Sequence, residues 1–425
     1  MDVVTALIII ATILLLGVFG EFFFRKTGIP DALWLMLFGF VITTILNVIS
    51  PQAFSAIVPI FVVVTLVVIL FEGGLHLKLA GVVKASLAGI GLAISFFIFS
   101  VIIVTGLTYL MSLLGFYPDW TLWTGILLGT ILGGTSSVGV IALVQFANLG
   151  EEASDILVIE SAFNDALCIV VVSTLVIYLL GTASSVGIKS VLQGISAGFA
   201  IGIVIGIAFG FVWLYLLYKL ENNKDMRNYF YFFTLAALFF IYILTDYVGG
   251  SAVIACFIFG LIMGNTLLIK QLFKIERMYE VDKDLLLINS QLAFLIKSFF
   301  FVLIGMLLVL DYRLWIYGLV ITIFLLIPRI LAILLVPSTR KIEKAKRTLL
   351  YFIYPKGLAS GILAISLANT PMLDKAIPTI GWFVPIIFST IFLSILMSTI
   401  SLGIYRYKLR KIPLAVDTDA NANSQ

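Results

Sequence analysis

The chain has 425 residues, of which 62% are apolar and only 11% charged. Soluble domains carry about 25% charged residues, so this composition cannot clothe a water-facing surface. That excludes a cytosolic enzyme, a nucleic-acid binder and a disordered scaffold, and it makes lipid the expected solvent. The net charge of +4 says less than the placement of the charges does. Cys168 and Cys256 sit inside apolar runs and read as buried free thiols, too few for a structural metal site. A single histidine, His76, leaves little for histidine-based catalysis; beyond run three, it reads as an interfacial residue.

A helix needs about 20 apolar residues to cross the hydrocarbon layer. In chain order, thirteen runs predict spans at 3–23, 30–48, 54–72, 85–114, 121–147, 154–180, 187–218, 229–247, 250–268, 288–310, 314–337, 347–369 and 378–405. The first run is followed, not preceded, by Arg25 and Lys26, the wrong polarity for a cleaved signal peptide, so it reads as a retained span. With the N-terminus outside, twenty Lys and Arg residues fall in inner loops and tail, and three (Lys189, Arg313 and Lys375) fall outside. Positive charge favours the cytoplasmic side, so this asymmetry supports both the count and a cytoplasmic C-terminus. Residues 1–411 read as one transmembrane unit in the cell membrane, and the polar stretch 412–425 as a disordered cytoplasmic tail. No phosphate-binding loop appears, so an existing gradient must drive whatever moves.

Five ionisable residues lie close to the middle of these runs: Glu160, Asp165, Lys297, Arg329 and Lys356. Charge at membrane depth is costly and marks a functional site by default. At roughly 100° per residue, Glu160, Asn164, Ser161 and Asp165 share one arc of the sixth run. Two carboxylates, a hydroxyl and an amide are oxygen donors suited to a hard alkali cation. Asp165 has no assigned basic partner, whereas Glu160 reads as half of a structural ion pair.

The fifth run contains Gly129-Thr130-Ile131-Leu132-Gly133-Gly134-Thr135-Ser136-Ser137-Val138-Gly139, and the twelfth contains Tyr354-Pro355-Lys356-Gly357-Leu358-Ala359-Ser360-Gly361. Both are poor helix material, and paired interruptions are the sequence pointer to a midplane site in transporters. They stand seven runs apart, as in two inverted six-helix repeats joined through one linker. Repeat one covers about 1–180 and repeat two about 229–405, with a linker helix at about 187–218. The expected fold is therefore an all-α membrane protein of about thirteen transmembrane helices, with broken helices crossing at the midplane. Lys356, beside the second break, and Lys297 are candidates for charge compensation.

The stretch Glu160-Ser161-Ala162-Phe163-Asn164-Asp165 resembles the E-S-x-x-N-D signature of the monovalent cation:proton antiporter superfamily, in its NhaP-like sodium/proton branch. Gly28-Ile29-Pro30-Asp31, Phe71-Glu72-Gly73-Gly74-Leu75, Arg329 and Lys356-Gly357 add weaker likenesses. The resemblance implies a homodimer of thirteen-helix protomers, each with a dimerisation domain and a mobile six-helix bundle. It also implies roles: Asp165 shared by cation and proton, Ser161 a side-chain ligand of transported Na+, Thr135 a main-chain ligand, Asn164 holding the crossing, and Glu160 paired with Arg329. The branch usually has Thr-Asp where Thr135 is followed by Ser136, so a cation ligand here lacks its charge. That leaves Na+ (or Li+) against K+ open.

The expected activity is secondary active exchange of Na+ or Li+ for H+, with cation and proton competing for Asp165 and alternating access needing no cofactor. Potassium/proton exchange through the same site is the alternative; a cation channel or membrane sensor retaining the fold is a rival of another class. An intramembrane hydrolase fails on inventory, because Asp165 has neither a deep histidine nor a second aspartate beside it. The expected partners are Na+, Li+ or K+ with H+, lipid and a second protomer, and no nucleic acid.

Overall fold

In the computed structural model the described residues are 3–46, 58–77, 79–116, 120–147, 149–180, 188–221, 224–275, 277–370 and 372–410. The tail expected at 412–425 lies outside them. The regular structure among them is helical. In chain order it comprises α1 (Val3–Thr27), α2 (Asp31–Phe40, continued by a π-turn over Val41–Ile45), α3 (Val58–His76), α4 (Leu79–Leu113), α5 (Leu122–Ile131), α6 (Ser137–Ala147) and α7 (Glu151–Leu179). Then come α8 (Ile188–Leu220), α9 (Lys224–Arg227), α10 (Phe230–Tyr247), α11 (Ala252–Gly264), α12 (Thr266–Phe273) and α13 (Lys283–Met306). The last are α14 (Tyr312–Phe324), α15 (Leu326–Leu335), α16 (Lys344–Leu350), α17 (Leu358–Ala368), α18 (Leu373–Ala376) and α19 (Phe383–Arg410).

Among the described residues, seven helical stretches are long and apolar enough to cross a membrane, and the bent pair α11–α12 makes an eighth when taken as one span. Shorter apolar helices occupy 10–24, 31–45, 60–76, 122–131 and 358–368. The outward faces carry exposed apolar side chains, among them Phe19, Val204, Phe240 and Leu319. Each Å² of such surface costs about 25 cal/mol in water, a cost that lipid removes.

Local chemistry sets the helix boundaries. The Thr121 hydroxyl accepts from the Thr124 N–H at the start of α5, and the Asp282 carboxylate accepts from Leu285 N–H at the start of α13, satisfying donors that a first turn leaves open. Pro328 has no N–H for the Phe324 carbonyl, and the run 312–335 divides into α14 and α15 there. The run expected as one span at 250–268 is bent by 75°. Its cause is Asn265, whose side-chain N–H₂ donates to the carbonyls of Leu77 and Leu261, each at 2.8 Å.

Two sets of helices pack chiefly within themselves. In one, α3 lies on α11, α11 on α8, and α2 on α13. The α3–α11 contact is backbone to backbone, with Gly74, Gly260 and Gly264 where a side chain would collide, the use small residues have inside membranes. In the other set, α4 packs on α5, α7 and α15, while α19 packs on α14 and α17. The two interrupted helices, α5–α6 and α16–α17, belong to this second set.

Candidate functional site

The two interruptions meet. The first, residues 132–136, ends in an irregular stretch at 134–136; the second spans 351–357. The Ser136 N–H donates to the Pro355 carbonyl at 2.7 Å, and the Ser360 hydroxyl donates to the Ile131 carbonyl at 2.8 Å. Lys356 reaches across from the second break to the first, its Nζ donating to the Gly134 carbonyl at 2.6 Å, and its own N–H donates to the Ser394 hydroxyl. The contact is tight: a Cβ on Gly139 would lie 3.0 Å from the Pro355 ring, and one on Gly134 would lie 2.9 Å from Cys168 Sγ. Helix α7 thus passes directly against the first break, carrying the polar arc of the sixth run to the crossing.

Broken helices leave partial charges at their ends, positive at an N-terminus and negative at a C-terminus. Three of the four ends here meet an opposite charge. Asp165 Oδ2 accepts from the Ser137 hydroxyl at 2.9 Å and from the Ser137 N–H at 3.3 Å, so the carboxylate caps the N-terminus of α6. Arg329 Nε donates to the Leu350 carbonyl, the last residue of α16, at 3.1 Å. Lys356 faces the carbonyl of Gly134, beyond α5. The Lys356 ammonium and the Arg329 guanidinium also lie 4.5 and 5.3 Å from the Phe96 ring centroid, an aromatic face that attracts cations.

Glu160 and Arg329 form an ion pair at 2.5 Å with neither side chain exposed, and the Thr135 hydroxyl donates to the same Glu160 oxygen at 3.3 Å. Asp165 differs. Among the described residues no salt bridge includes it, and it keeps 8% exposure where Glu160, Arg329 and Lys356 have none. A cavity of about 570 Å³ reaches Ser137 and is lined at its other parts by Asp31, Glu72, His76, Asp155 and Lys297. The cavity is therefore separated from Asp165 by the Ser137 side chain.

The remaining residues singled out from sequence are distributed as follows. The Ser161 hydroxyl donates to the Val158 carbonyl of its own helix at 3.0 Å, leaving its lone pairs free for a ligand. Ser136 turns to the crossing, where its hydroxyl accepts from the Gly139 N–H at 3.3 Å. Both polar side-chain atoms of Asn164 are buried without a hydrogen-bond partner, which costs about 1–3 kcal/mol per group. Lys297 does not approach Asp165 or Glu160; it pairs with Asp31 at 2.7 Å in the cavity wall. Two participants escaped the sequence reading. One is Ser137, the direct partner of Asp165. The other is the cluster around Glu72, which accepts from Asn289 and from the Ser290 hydroxyl and lies 3.4 Å from His76. Among the described residues no group of three or more His, Cys, Asp or Glu side chains is placed to hold a metal ion.

Comparison with known proteins agrees with this architecture. A family model described as "Sodium/hydrogen exchanger, transmembrane" matches residues 8–406. The chain is 27% identical over 201 residues to the K(+)/H(+) antiporter NhaP2 of Shewanella sp. strain ANA-3, 47% of this chain and 33% of that protein. It is 31% identical over 252 residues to the Na(+)/H(+) antiporter ApNhaP of Aphanothece halophytica, 57% of this chain and 43% of that protein. The matched stretch thus covers less than half the length of these relatives. The sodium proton antiporter MjNhaP1 of Methanocaldococcus jannaschii at pH 8 shares the fold, with a TM-score of 0.77 at 20% identity, over 96% of this chain and 99% of that one.

Proposed function

We propose, since the chain belongs to the sodium/hydrogen exchanger family, that it exchanges a monovalent alkali cation for a proton across the cell membrane, both competing for Asp165. The observation that carries this reading is a carboxylate held at the N-terminus of α6 by Ser137, with no basic side chain bonded to it among the described residues and a cavity beside it. A carboxylate in this position holds a proton or a dehydrated cation, and the two exclude each other. The Ser137 hydroxyl can keep its donor bond to Asp165 while offering a lone pair to the ion. Ser161, Thr135 and the unpartnered amide of Asn164 supply further oxygens. Glu160 with Arg329, and Lys356 with Gly134, hold the crossing and neutralise its helix ends, so only Asp165 changes its occupant.

The finer architecture follows the same reading: thirteen crossings in two inverted repeats, the N-terminus outside, a homodimer, and the α4–α7 and α14–α19 set moving against the rest. Sodium and potassium remain two readings of one site. Ser136 stands where a second carboxylate would favour the smaller ion, and the relatives' names include both cations.

The test is fluorescence dequenching in proteoliposomes with Na+, Li+ and K+ in separate runs. Wild-type protein moves protons on addition of at least one cation, and Asp165→Asn abolishes that movement while unfolding at the wild-type temperature. Normal exchange by Asp165→Asn would overturn the assignment; a steady current without cation-dependent proton movement would identify a channel.

A further inference from the structure

A second cavity, of about 280 Å³, lies between the α1–α2 turn and the ends of α6 and α19, away from Asp165 and its partners. Its lining includes Lys26, Thr27, Phe146, Thr399, Arg406 and Tyr407, and no carboxylate. We propose that this cavity binds a phosphate-bearing anion, held between Lys26 of α1 and Arg406 of α19.

Neither cation forms an ion pair among the described residues. Each is instead braced on an aromatic ring: Lys26 Nζ lies 4.4 Å from the Phe22 centroid, and the Arg406 guanidinium lies 4.2 Å from that of Phe146. Ring contact orders a cation without neutralising it, and a guanidinium stacked this way keeps the N–H edge that matches phosphate oxygens. The cavity wall is itself fixed. Phe146 packs on Phe24 at 5.5 Å, and the chain turns past it through Gly28 at φ +75°, where a side chain would strike the Phe146 ring.

The other lining hydroxyls narrow the ligand. The Thr27 hydroxyl donates to the Phe23 carbonyl and that of Thr399 to the Ile395 carbonyl, so their protons are committed within their own helices. The charged donors in this lining are Lys26 and Arg406, facing no carboxylate of the lining, which favours an anion over a neutral polyol. Exposed apolar side chains at the same two helix ends, Phe23 and Ile404, give a phospholipid's acyl chains a surface beside its headgroup. Basic pockets between helix ends are where acidic headgroups bind. Because α1 packs on α2 and α13 of the first helix set while α19 packs on α14 and α17 of the second, an anion held by both α1 and α19 ties those sets together. That makes thermal unfolding its readout, independent of any exchange activity.

The full chain is reconstituted in phosphatidylcholine vesicles, in the same vesicles containing phosphatidylglycerol, and in phosphatidylcholine with inorganic phosphate in the buffer. Unfolding is followed by tryptophan fluorescence, and retained lipid is counted by native mass spectrometry. A ligand that binds only the folded protein raises its unfolding temperature. Wild type gains a few degrees with phosphatidylglycerol and retains that lipid, and Lys26→Gln/Arg406→Gln does neither. The charge-keeping Lys26→Arg and the control Lys219→Gln/Lys344→Gln, which removes two exposed charges elsewhere, both keep the gain. A rise confined to the lipid arm assigns the headgroup, and an equal rise with inorganic phosphate assigns the free ion. No rise in either arm, an equal rise in Lys26→Gln/Arg406→Gln, or its loss in the control overturns the site.

Discussion

Replacing Arg329 by methionine removes one half of an ion pair that has no exposed surface. Glu160 would keep a single hydrogen bond among the described residues, from the Thr135 hydroxyl at 3.3 Å, and the Leu350 carbonyl at the end of α16 would lose its donor. Leaving one member of a buried pair uncompensated costs about 3–5 kcal/mol. With an unfolding entropy of about 2.1 cal/mol/K per residue, cooperative unfolding of the 425 residues converts that to a fall in Tm of roughly 3–6 °C, and more if the cooperative unit is smaller. Removing both charges should be far milder, because a buried pair replaced by neutral groups is often neutral in stability. Glu160→Gln/Arg329→Met should therefore recover at least half the loss and should still exchange ions. Thermal unfolding in nanodiscs at one scan rate, run as a double-mutant cycle, measures this. A single variant as stable as wild type, or a double variant no more stable than the singles, would refute the structural role of the pair.

Ser137→Ala removes a hydrogen bond to a charged group worth about 1.5–3 kcal/mol together with a cation ligand, so KM for the cation should rise roughly tenfold or more; Ser137→Thr should stay near wild type, and an unchanged KM in the alanine variant would remove Ser137 from the site. Gly134→Ala puts a methyl group 2.9 Å from Cys168 Sγ and should cost about 1–3 kcal/mol by overpacking, and Cys168→Ala in the same chain should restore most of it, as read by thermal unfolding. Because Lys297 pairs with Asp31 and not with Asp165, Asp31→Asn/Lys297→Met should fold and exchange with the same response to an imposed membrane voltage as wild type; a changed response would give Lys297 a share in the transported charge.

The apolar runs were legible because a membrane helix needs only length and apolarity, both local properties. The breaks were legible because Gly133, Gly134, Pro355 and Gly357 oppose helix wherever they occur. Their mutual approach could be expected from the spacing of the two interruptions. What the chain did not disclose locally were contacts that depend on helix phase or on distant partners. Thr135, Ser136 and Ser137 are three consecutive hydroxyls, and which of them meets Asp165 is fixed by where α6 begins; a shift of one residue turns the side chain by roughly 100°. Sequence placed ligands at Thr135 and Ser136, while the start of α6 at Ser137 turns the Thr135 hydroxyl to Glu160, Ser136 to the crossing and Ser137 to the Asp165 carboxylate. Lys297 and Asp31 are remote in sequence, and their pairing arises only because α13 packs on α2. The bend after α11 was hidden for the same reason, since one of Asn265's two acceptors is the carbonyl of Leu77 on another helix. The Glu160–Arg329 association was readable only through the family resemblance, because no local pattern links α7 to α15.

Exchange kinetics at several pH values test the central claim most directly. If one carboxylate, Asp165, holds either ion, raising the proton concentration on the cation-binding side should raise the cation KM in proportion while the rate at saturating cation stays constant. A KM indifferent to pH, with a maximal rate that falls instead, would mean that proton and cation occupy separate groups and would contradict the account.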